Sequence, residues 1–152
     1  MTVIYEKIAI IGVGLIGASI ALAVRRANLA THIVGCDGDE SAVDTVRDLA
    51  LVDEAVTDPV AAVADADLVI MAVPVGAMGG LAASIVPAMK PGAVLTDTGS
   101  TKRSVLRDVD PVVTANIHWL PSHPLAGTEH SGPKAGHAHL FDERYWIVLP
   151  RE

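Results

Sequence analysis

Residues 7–17 read Lys-Ile-Ala-Ile-Ile-Gly-Val-Gly-Leu-Ile-Gly, and they predict a strand, a glycine-rich turn and the start of a helix. The first five residues form a short apolar run typical of a buried strand, and a helical pattern follows from residue 15 to 28. The glycines between them form the spacing Gly-x-Gly-x-x-Gly. Such a loop predicts a tight strand-to-helix turn whose backbone approaches a pyrophosphate at the helix N-terminus. A glycine-rich turn without a ligand is the alternative.

Each glycine of this loop has its own expected structural role. Gly12 permits the tight turn, Gly14 leaves room for the pyrophosphate, and Gly17 lets the helix pack closely on the strand. The residues expected to contact a dinucleotide here are Gly12, Gly14, Leu15, Ile16 and Gly17.

The rest of the chain alternates short β-branched runs with longer helical patterns. Further strands are predicted at 32–36, 67–73, 93–96, 117–120 and 145–149, and helices at 41–49, 75–89 and 101–109, with a short one starting at Asp58-Pro59. A loop rich in Gly, His and Pro is predicted over 121–143. Strands alternating with helices indicate a doubly wound, mostly parallel α/β sheet, a Rossmann-like fold that binds ligands beyond the carboxyl ends of its strands.

The amino-acid composition argues against several classes of protein and of binding site. The 152 residues suffice for one domain, and 51% of them are hydrophobic but only 3% aromatic, which fits Ala- and Val-rich helices on a buried sheet. A net charge of −7 argues against a nucleic-acid or membrane-surface partner. Cys36 is the single cysteine, and His130, His137 and His139 fit no zinc spacing, so we expect neither a disulfide framework nor a metal.

Two long uncharged runs are compatible either with a strand followed by a helix or with a signal peptide or membrane span. The run from Ile8 to Val24 follows Glu6 and Lys7 and is broken by glycines, which favours a strand and a helix over a signal peptide. The run from Leu68 to Met89 is long enough for a bilayer but is divided by prolines and glycines. We therefore expect a soluble, cytoplasmic domain.

Asp37 ends the second predicted strand, 25 residues after Gly12. A carboxylate at this place accepts hydrogen bonds from the adenosine-ribose hydroxyls and repels a 2′-phosphate, so it predicts NAD rather than NADP. Asp39 and Glu40 follow and add to the repulsion. The alternative is an aspartate that only caps a helix.

Three further loops carry candidate site residues. Val73 and Pro74 end the central strand and are expected to line the nicotinamide side of the cofactor, unless the proline only terminates the strand. Ser100 begins a helix, where it can cap the helix or hydrogen-bond a substrate hydroxyl or carboxylate, and Lys102 adds a cation there. His123 lies between Pro121 and Pro124; the following proline holds it extended, which makes it a candidate general base.

Three motifs in this order resemble those of the prephenate/arogenate (cyclohexadienyl) dehydrogenases of tyrosine biosynthesis. They are Gly-Val-Gly-Leu-Ile-Gly-Ala-Ser at 12–19, Asp-Thr-Gly-Ser-Thr-Lys at 97–102 and His-Pro-Leu-Ala-Gly-Thr-Glu at 123–129. Ser131-Gly132 and Leu140-Phe141 continue the likeness, whereas Thr101 departs from the usual Val before Lys102.

The resemblance implies roles for the matched residues. His123 would bind the ring hydroxyl of the substrate and accept its proton, and Ser100 would bind near that hydroxyl and the nicotinamide. Lys102 would lie among the substrate-binding residues, and Glu129 would lie at the mouth of the site. Residues 1–152 would be the NAD-binding domain.

The family follows this domain with a helical domain that dimerises and supplies substrate-binding cations, so the chain is expected to be a fragment or a natural stub of a homodimeric enzyme. Preference between prephenate and arogenate stays open. The alternatives are another β-hydroxyacid-type dehydrogenase and a non-catalytic NAD-binding module.

Overall fold

A computed structural model describes residues 2–151, and their fold is built on a six-stranded parallel sheet. The strands of this sheet are β1 (Tyr5–Ile11), β2 (Ala30–Cys36), β3 (Glu54–Val56), β4 (Leu68–Met71), β5 (Val94–Asp97) and β6 (His118–Leu120). The helices are α1 (Leu15–Arg26), α2 (Glu40–Asp48), α3 (Pro59–Val63), α4 (Val75–Ile85) and α5 (Lys102–Val109), with 3₁₀ turns at Val86–Ala88, Asp110–Val112 and Pro133–Ala135.

The strand order β3-β2-β1-β4-β5-β6 reverses direction between β1 and β4. This is the doubly wound topology, and it confirms the predicted Rossmann-like fold. Such sheets bind ligands at the carboxyl edge near the reversal point. The loop after β1 therefore faces the loop after β4 at that edge.

The sheet is covered on both faces because alternate residues of β1 point to opposite sides. Ile8 and Ile10 pack with α1 residues such as Ile20, whereas Ala9 and Ile11 pack with residues of α4 and α5 such as Met78 and Val105. The uncharged run from Leu68 to Met89 divides into β4, α4 and the turn that follows. Within residues 2–151, no helix is long and apolar enough to cross a membrane.

The chain differs from the predicted elements at two strands. The three-residue edge strand β3 was not predicted, since it is partly exposed and too short to show a period. The predicted final strand exists as β8 (Trp146–Val148), but it pairs antiparallel with β7 (Ser122–Pro124) in a separate two-stranded sheet. The amino-terminal part of the predicted 121–143 loop is therefore a strand, and it carries His123.

Candidate cofactor and active site

A cavity of about 630 Å³ lies at the carboxyl edge of the parallel sheet. Residues from five loops line it, namely those after β1, β2, β4 and β5 and the segment that follows β6. The sequence-predicted residues among its lining are Gly12, Gly14, Leu15, Ile16, Asp37, Val73, Pro74, Ser100 and His123. Its volume lies within the ~300–1,000 Å³ range of small-molecule sites.

The three glycines of the first loop differ in how closely other atoms approach them. A Cβ on Gly12, whose φ is +95°, would lie 2.6 Å from the carbonyl oxygen of Ala72, and one on Gly17 would lie 1.9 Å from that of Gly12. No atom would lie within 4 Å of a Cβ on Gly14. Gly12 and Gly17 are thus needed for packing, whereas Gly14 faces open space in the cavity. Gly17, which was expected to contact the dinucleotide, does not line the cavity.

The helices that begin at this cavity lack the side-chain caps found elsewhere in the chain. Asp39 and Asp58 cap α2 and α3 by accepting hydrogen bonds from the N–H groups of Ser41 and Val60. Within residues 2–151, no side chain caps α1, α4 or α5, and none of these three has an acidic residue in its first turn. The unpaired N–H groups in the first turns of these helices place partial positive charge at the cavity, which favours an anionic ligand.

Asp37 connects the end of β2 to the glycine loop. One oxygen of its carboxylate accepts a hydrogen bond from the N–H of Val13 at 3.1 Å, and the other accepts from the N–H of Asp39 at 3.0 Å. A carboxylate has about four acceptor positions. The half-buried side chain thus keeps capacity for a ligand's hydroxyl groups while it holds the loop in place.

Ser100 and His123 reach the cavity from different parts of the fold. Ser100 is exposed and follows β5, one residue before Thr101, which is the N-cap residue of α5. His123 is half-buried in the middle of β7, opposite Ile147 of β8. A hydroxyl and an imidazole therefore line the same cavity as the glycine loop.

Lys102 and Glu129 lie outside the lining of the cavity. The ammonium of Lys102 forms an ion pair with Asp97 and donates to the carbonyl of Ser122 at 2.6 Å. Glu129 is exposed on the loop after β7, with a carboxylate oxygen 3.3 Å from Nε2 of His130. The Lys102 ammonium thus pairs with groups inside the protein, whereas its motif predicts a cation that is available to the substrate.

The sequence prediction did not include His130, Ser131 and Gly132 in the cavity, and the structure places all three in its lining. The segment that follows them is docked on α1, where Ser19 accepts a hydrogen bond from the N–H of His137 at 3.1 Å. A Cβ on Gly136 would lie 2.7 Å from that of Ala18, so this approach requires a glycine. The pair of glycines at 132 and 136 was the available signal.

The profile of a known family matches most of this chain. The family is described as prephenate dehydrogenase, nucleotide-binding domain, and the match covers residues 20–152. The chain belongs to this family.

Among curated relatives of this nucleotide-binding domain, the cyclohexadienyl dehydrogenase of Zymomonas mobilis is 43% identical over 147 residues, which cover 97% of the chain and 50% of the relative. The crystal structure of prephenate dehydrogenase from A. aeolicus with hydroxyphenyl propionate and NAD⁺ superposes with a TM-score of 0.87 at 27% identity, covering 97% of the chain and 51% of that protein. Synechocystis arogenate dehydrogenase gives a TM-score of 0.87 at 26% identity, with 97% and 51% covered. The chain thus spans about half the length of these proteins.

Proposed function

We propose that this nucleotide-binding domain serves the NAD-dependent oxidative decarboxylation of prephenate, arogenate or both in tyrosine biosynthesis. One observation carries the proposal: in a member of this family, the glycine loop, Asp37, Ser100 and His123 line a single cavity. Relatives and structural neighbours named for prephenate, arogenate or cyclohexadienyl dehydrogenase support it.

The residues of the cavity fit a dinucleotide. Gly14 leaves space for a pyrophosphate beside the uncapped N-terminus of α1, to which Leu15 and Ile16 belong. Asp37 has acceptor capacity for the adenosine-ribose hydroxyls, and its charge disfavours a 2′-phosphate. Val73 and Pro74 provide a wall for the nicotinamide at the carboxyl end of β4.

The nicotinamide of bound NAD⁺ supplies a hydride acceptor. His123 accepts the proton of the substrate's ring hydroxyl as the carbinol carbon is oxidised, and Ser100 orients that hydroxyl by a hydrogen bond. The resulting dienone loses CO₂ readily because its ring becomes aromatic. The residues of this chain therefore need only orient an alcohol and accept one proton.

The substrate's carboxylates need cations that this cavity does not contain. No Lys or Arg is found among the described residues that line it. We propose that a further helical domain, expected from the family resemblance, supplies these cations and the contacts of a homodimer. Glu129 would then lie at the mouth between the two parts.

Gly14→Ala tests the cofactor site, with Gly80→Ala as its control. Both positions are open, since no atom lies within 4 Å of a Cβ placed on either glycine, so both variants should fold. We expect Gly14→Ala to weaken NADH binding at least ~10-fold, because its methyl group would occupy the space of the pyrophosphate. Gly80→Ala in α4 should bind like the wild type. Equal affinity of the Gly14→Ala variant and the wild type, measured by calorimetric titration, would contradict the assignment.

Turnover tests the reaction itself. We expect a catalytically competent form of the enzyme to reduce NAD⁺ with prephenate or arogenate and to release CO₂ in equal amount. Reduction of NAD⁺ with a simple β-hydroxyacid instead would indicate a different dehydrogenase. Tight NADH binding with no turnover of any cyclohexadienol would indicate a binding module.

A further inference from the structure

Asp97 and Lys102 form a buried ion pair behind the cavity. The carboxylate of Asp97 at the end of β5 is fully buried, and the side chain of Lys102 in the first turn of α5 is 17% exposed. Burial lowers the pKa of the Lys102 ammonium, although its contact with Asp97 raises that pKa in part. A charge pair in such surroundings adds little net stability compared with a well-packed apolar pair. The ion pair therefore matters for the backbone groups that it holds in place.

The ion pair binds both backbone groups of Ser122, the residue directly before His123. Asp97 Oδ1 accepts from the N–H of Ser122 at 3.0 Å, and Lys102 Nζ donates to the Ser122 carbonyl at 2.6 Å. That carbonyl belongs to the peptide bond that joins Ser122 to His123. Lys102 thus holds the peptide plane between Ser122 and His123, and Asp97 holds the peptide plane directly before it.

The same carboxylate also fixes the loop that presents Ser100. Asp97 Oδ2 accepts from the N–H of Gly99 at 2.8 Å. A Cβ on Gly99 would lie 2.9 Å from that oxygen and 2.8 Å from a methyl carbon of Val105, so the loop can adopt this path only with a glycine. One buried carboxylate therefore contacts the residue before Ser100 and the residue before His123.

The side chain of Ser122 extends this network to the small sheet. Its hydroxyl donates to the carbonyl oxygen of Asp97 at 2.6 Å and accepts from the indole N–H of Trp146 at 2.9 Å. Trp146 belongs to β8, the partner strand of β7. The strand that carries His123 is thus held to the parallel sheet through Ser122.

From these contacts we infer that Asp97 and Lys102 are positioning residues, which hold the backbone on both sides of the cavity so that Ser100 and His123 face one substrate hydroxyl. The inference rests on the proposed function. Lys102 thereby acts through Ser122 and His123 rather than by touching the substrate. Loss of the pair should loosen the small sheet and leave the glycine loop and Asp37 unchanged, since neither contacts it.

The test is the double variant Asp97→Asn/Lys102→Met, which leaves no lone buried charge. The amide oxygen introduced at position 97 can accept from only one of the two N–H groups that Asp97 holds, those of Ser122 and Gly99, and the Ser122 carbonyl loses its donor. The control is Asp108→Asn/Arg107→Met, which neutralises an exposed ion pair of 2.6 Å in the same helix. Both proteins are compared with the wild type by NMR of the Trp146 indole N–H and the His123 ring, by NADH titration and, in a competent form of the enzyme, by kcat.

We expect the Asp97→Asn/Lys102→Met protein to show shifted or broadened Trp146 and His123 signals and an NADH Kd within ~3-fold of wild type. Its kcat should fall by ~10²-fold, since misplacement by about 1 Å has that effect. The control should match the wild type in all three. Unchanged Trp146 and His123 signals with only a lower melting temperature would overturn the inference. If the wild type does not bind NADH, the proposed function is contradicted. The NMR comparison still tests the positioning role, because it does not depend on NADH.

A measurement on the wild type covers the case in which the double variant does not fold. If the pair fixes Ser122, the amide of Ser122 should exchange with solvent at least ~10-fold more slowly than that of Ile147 on the partner strand. Equal exchange of the two amides would overturn the inference without any substitution.

Discussion

Asp37 combines a structural contact with the proposed choice of cofactor. Its carboxylate accepts a hydrogen bond from the N–H of Val13 in the glycine loop. We propose that its remaining acceptor positions bind the hydroxyls of the ribose. We expect the protein to bind NADH at least ~10-fold more tightly than NADPH, the factor that ~1.4 kcal/mol provides. The measurement is a titration of both nucleotides.

Asp37→Asn separates the two roles of this residue. The amide oxygen can still accept from the N–H of Val13, whereas the exposed N–H of Asp39 loses its acceptor to water, so the melting temperature should fall only slightly. Because the negative charge is lost, NADPH affinity should rise relative to NADH affinity. Equal or tighter NADPH binding by the wild type would exclude the ribose assignment.

His123 is proposed to accept the substrate proton from a fixed place on β7. We expect His123→Asn to lower kcat by ~10²–10⁴-fold in a competent form of the enzyme, with NADH affinity nearly unchanged. The control is His118→Asn, which alters an exposed histidine of β6 outside the cavity lining and should change kcat less than ~3-fold. A near-wild-type kcat for His123→Asn would remove His123 from the mechanism.

At the scale of elements, Asp67 joins β4 to β1 and to the segment before β5. Its carboxylate accepts from the N–H of Lys7 at 3.0 Å and pairs with Lys90, whose hydrogen bond is the main reason that the pKa of Asp67 lies below its usual value. A carboxyl whose pKa is lower in the folded than in the unfolded chain stabilises the fold above the unfolded pKa of about 3.9. This contribution is lost as pH falls through the folded pKa.

We therefore expect Asp67→Asn to lower the free energy of unfolding by about 1 kcal/mol at pH 7, a small value because both side chains are partly exposed. The difference from wild type should shrink as pH decreases below about 4. Urea denaturation of both proteins at pH 7 and pH 3 measures it. A difference that grows in acid would show that the ion pair is not its source.

The elements that the sequence predicted best are those with long periodic patterns. β1 and β4 follow from the runs Ile8–Ile11 and Leu68–Met71, because burial on both faces demands continuous apolar residues. α1 follows from its helical repeat of apolar residues. β3 has three residues and little burial, so no local pattern marks it. The pairing of β7 with β8 joins residues 22 to 26 positions apart and depends on tertiary contacts with Ser122.

The same distinction holds for the site. The place of Gly12, Gly14, Asp37 and His123 at one cavity could be predicted, because each follows a recognisable strand at the sheet's carboxyl edge. The internal partners of Lys102 could not be predicted, since its motif shows only that a cation lies near the start of a helix. Whether that ammonium points to solvent or to Asp97 depends on the position of Ser122, which belongs to a different segment.

At the scale of the whole molecule, a polypeptide of these 152 residues should bind NADH yet turn over little prephenate or arogenate. The residues proposed to bind the cofactor line its cavity, but no Lys or Arg is found among the described residues of that lining. The exposed apolar side chains of β8, 37% for Trp146 and 45% for Ile147, should also favour self-association. Steady-state assays and sedimentation velocity measure both. Turnover equal to that of the cyclohexadienyl dehydrogenase from Zymomonas mobilis would refute the expectation.

The separate small sheet also sets the order in which the molecule becomes structured. The glycine loop is complete once β4 has been synthesised, since Gly12 packs against Ala72, whereas β7 has no partner strand until the ribosome has added Val148. All three residues of β8 are exposed, so β8 should open at a lower free energy than the buried parallel sheet, while Ser122 keeps the start of β7 attached to that sheet. Under mild heat or denaturant, β8 should therefore leave β7 first, and His123 should lose its partner strand while the protein still retains its nucleotide.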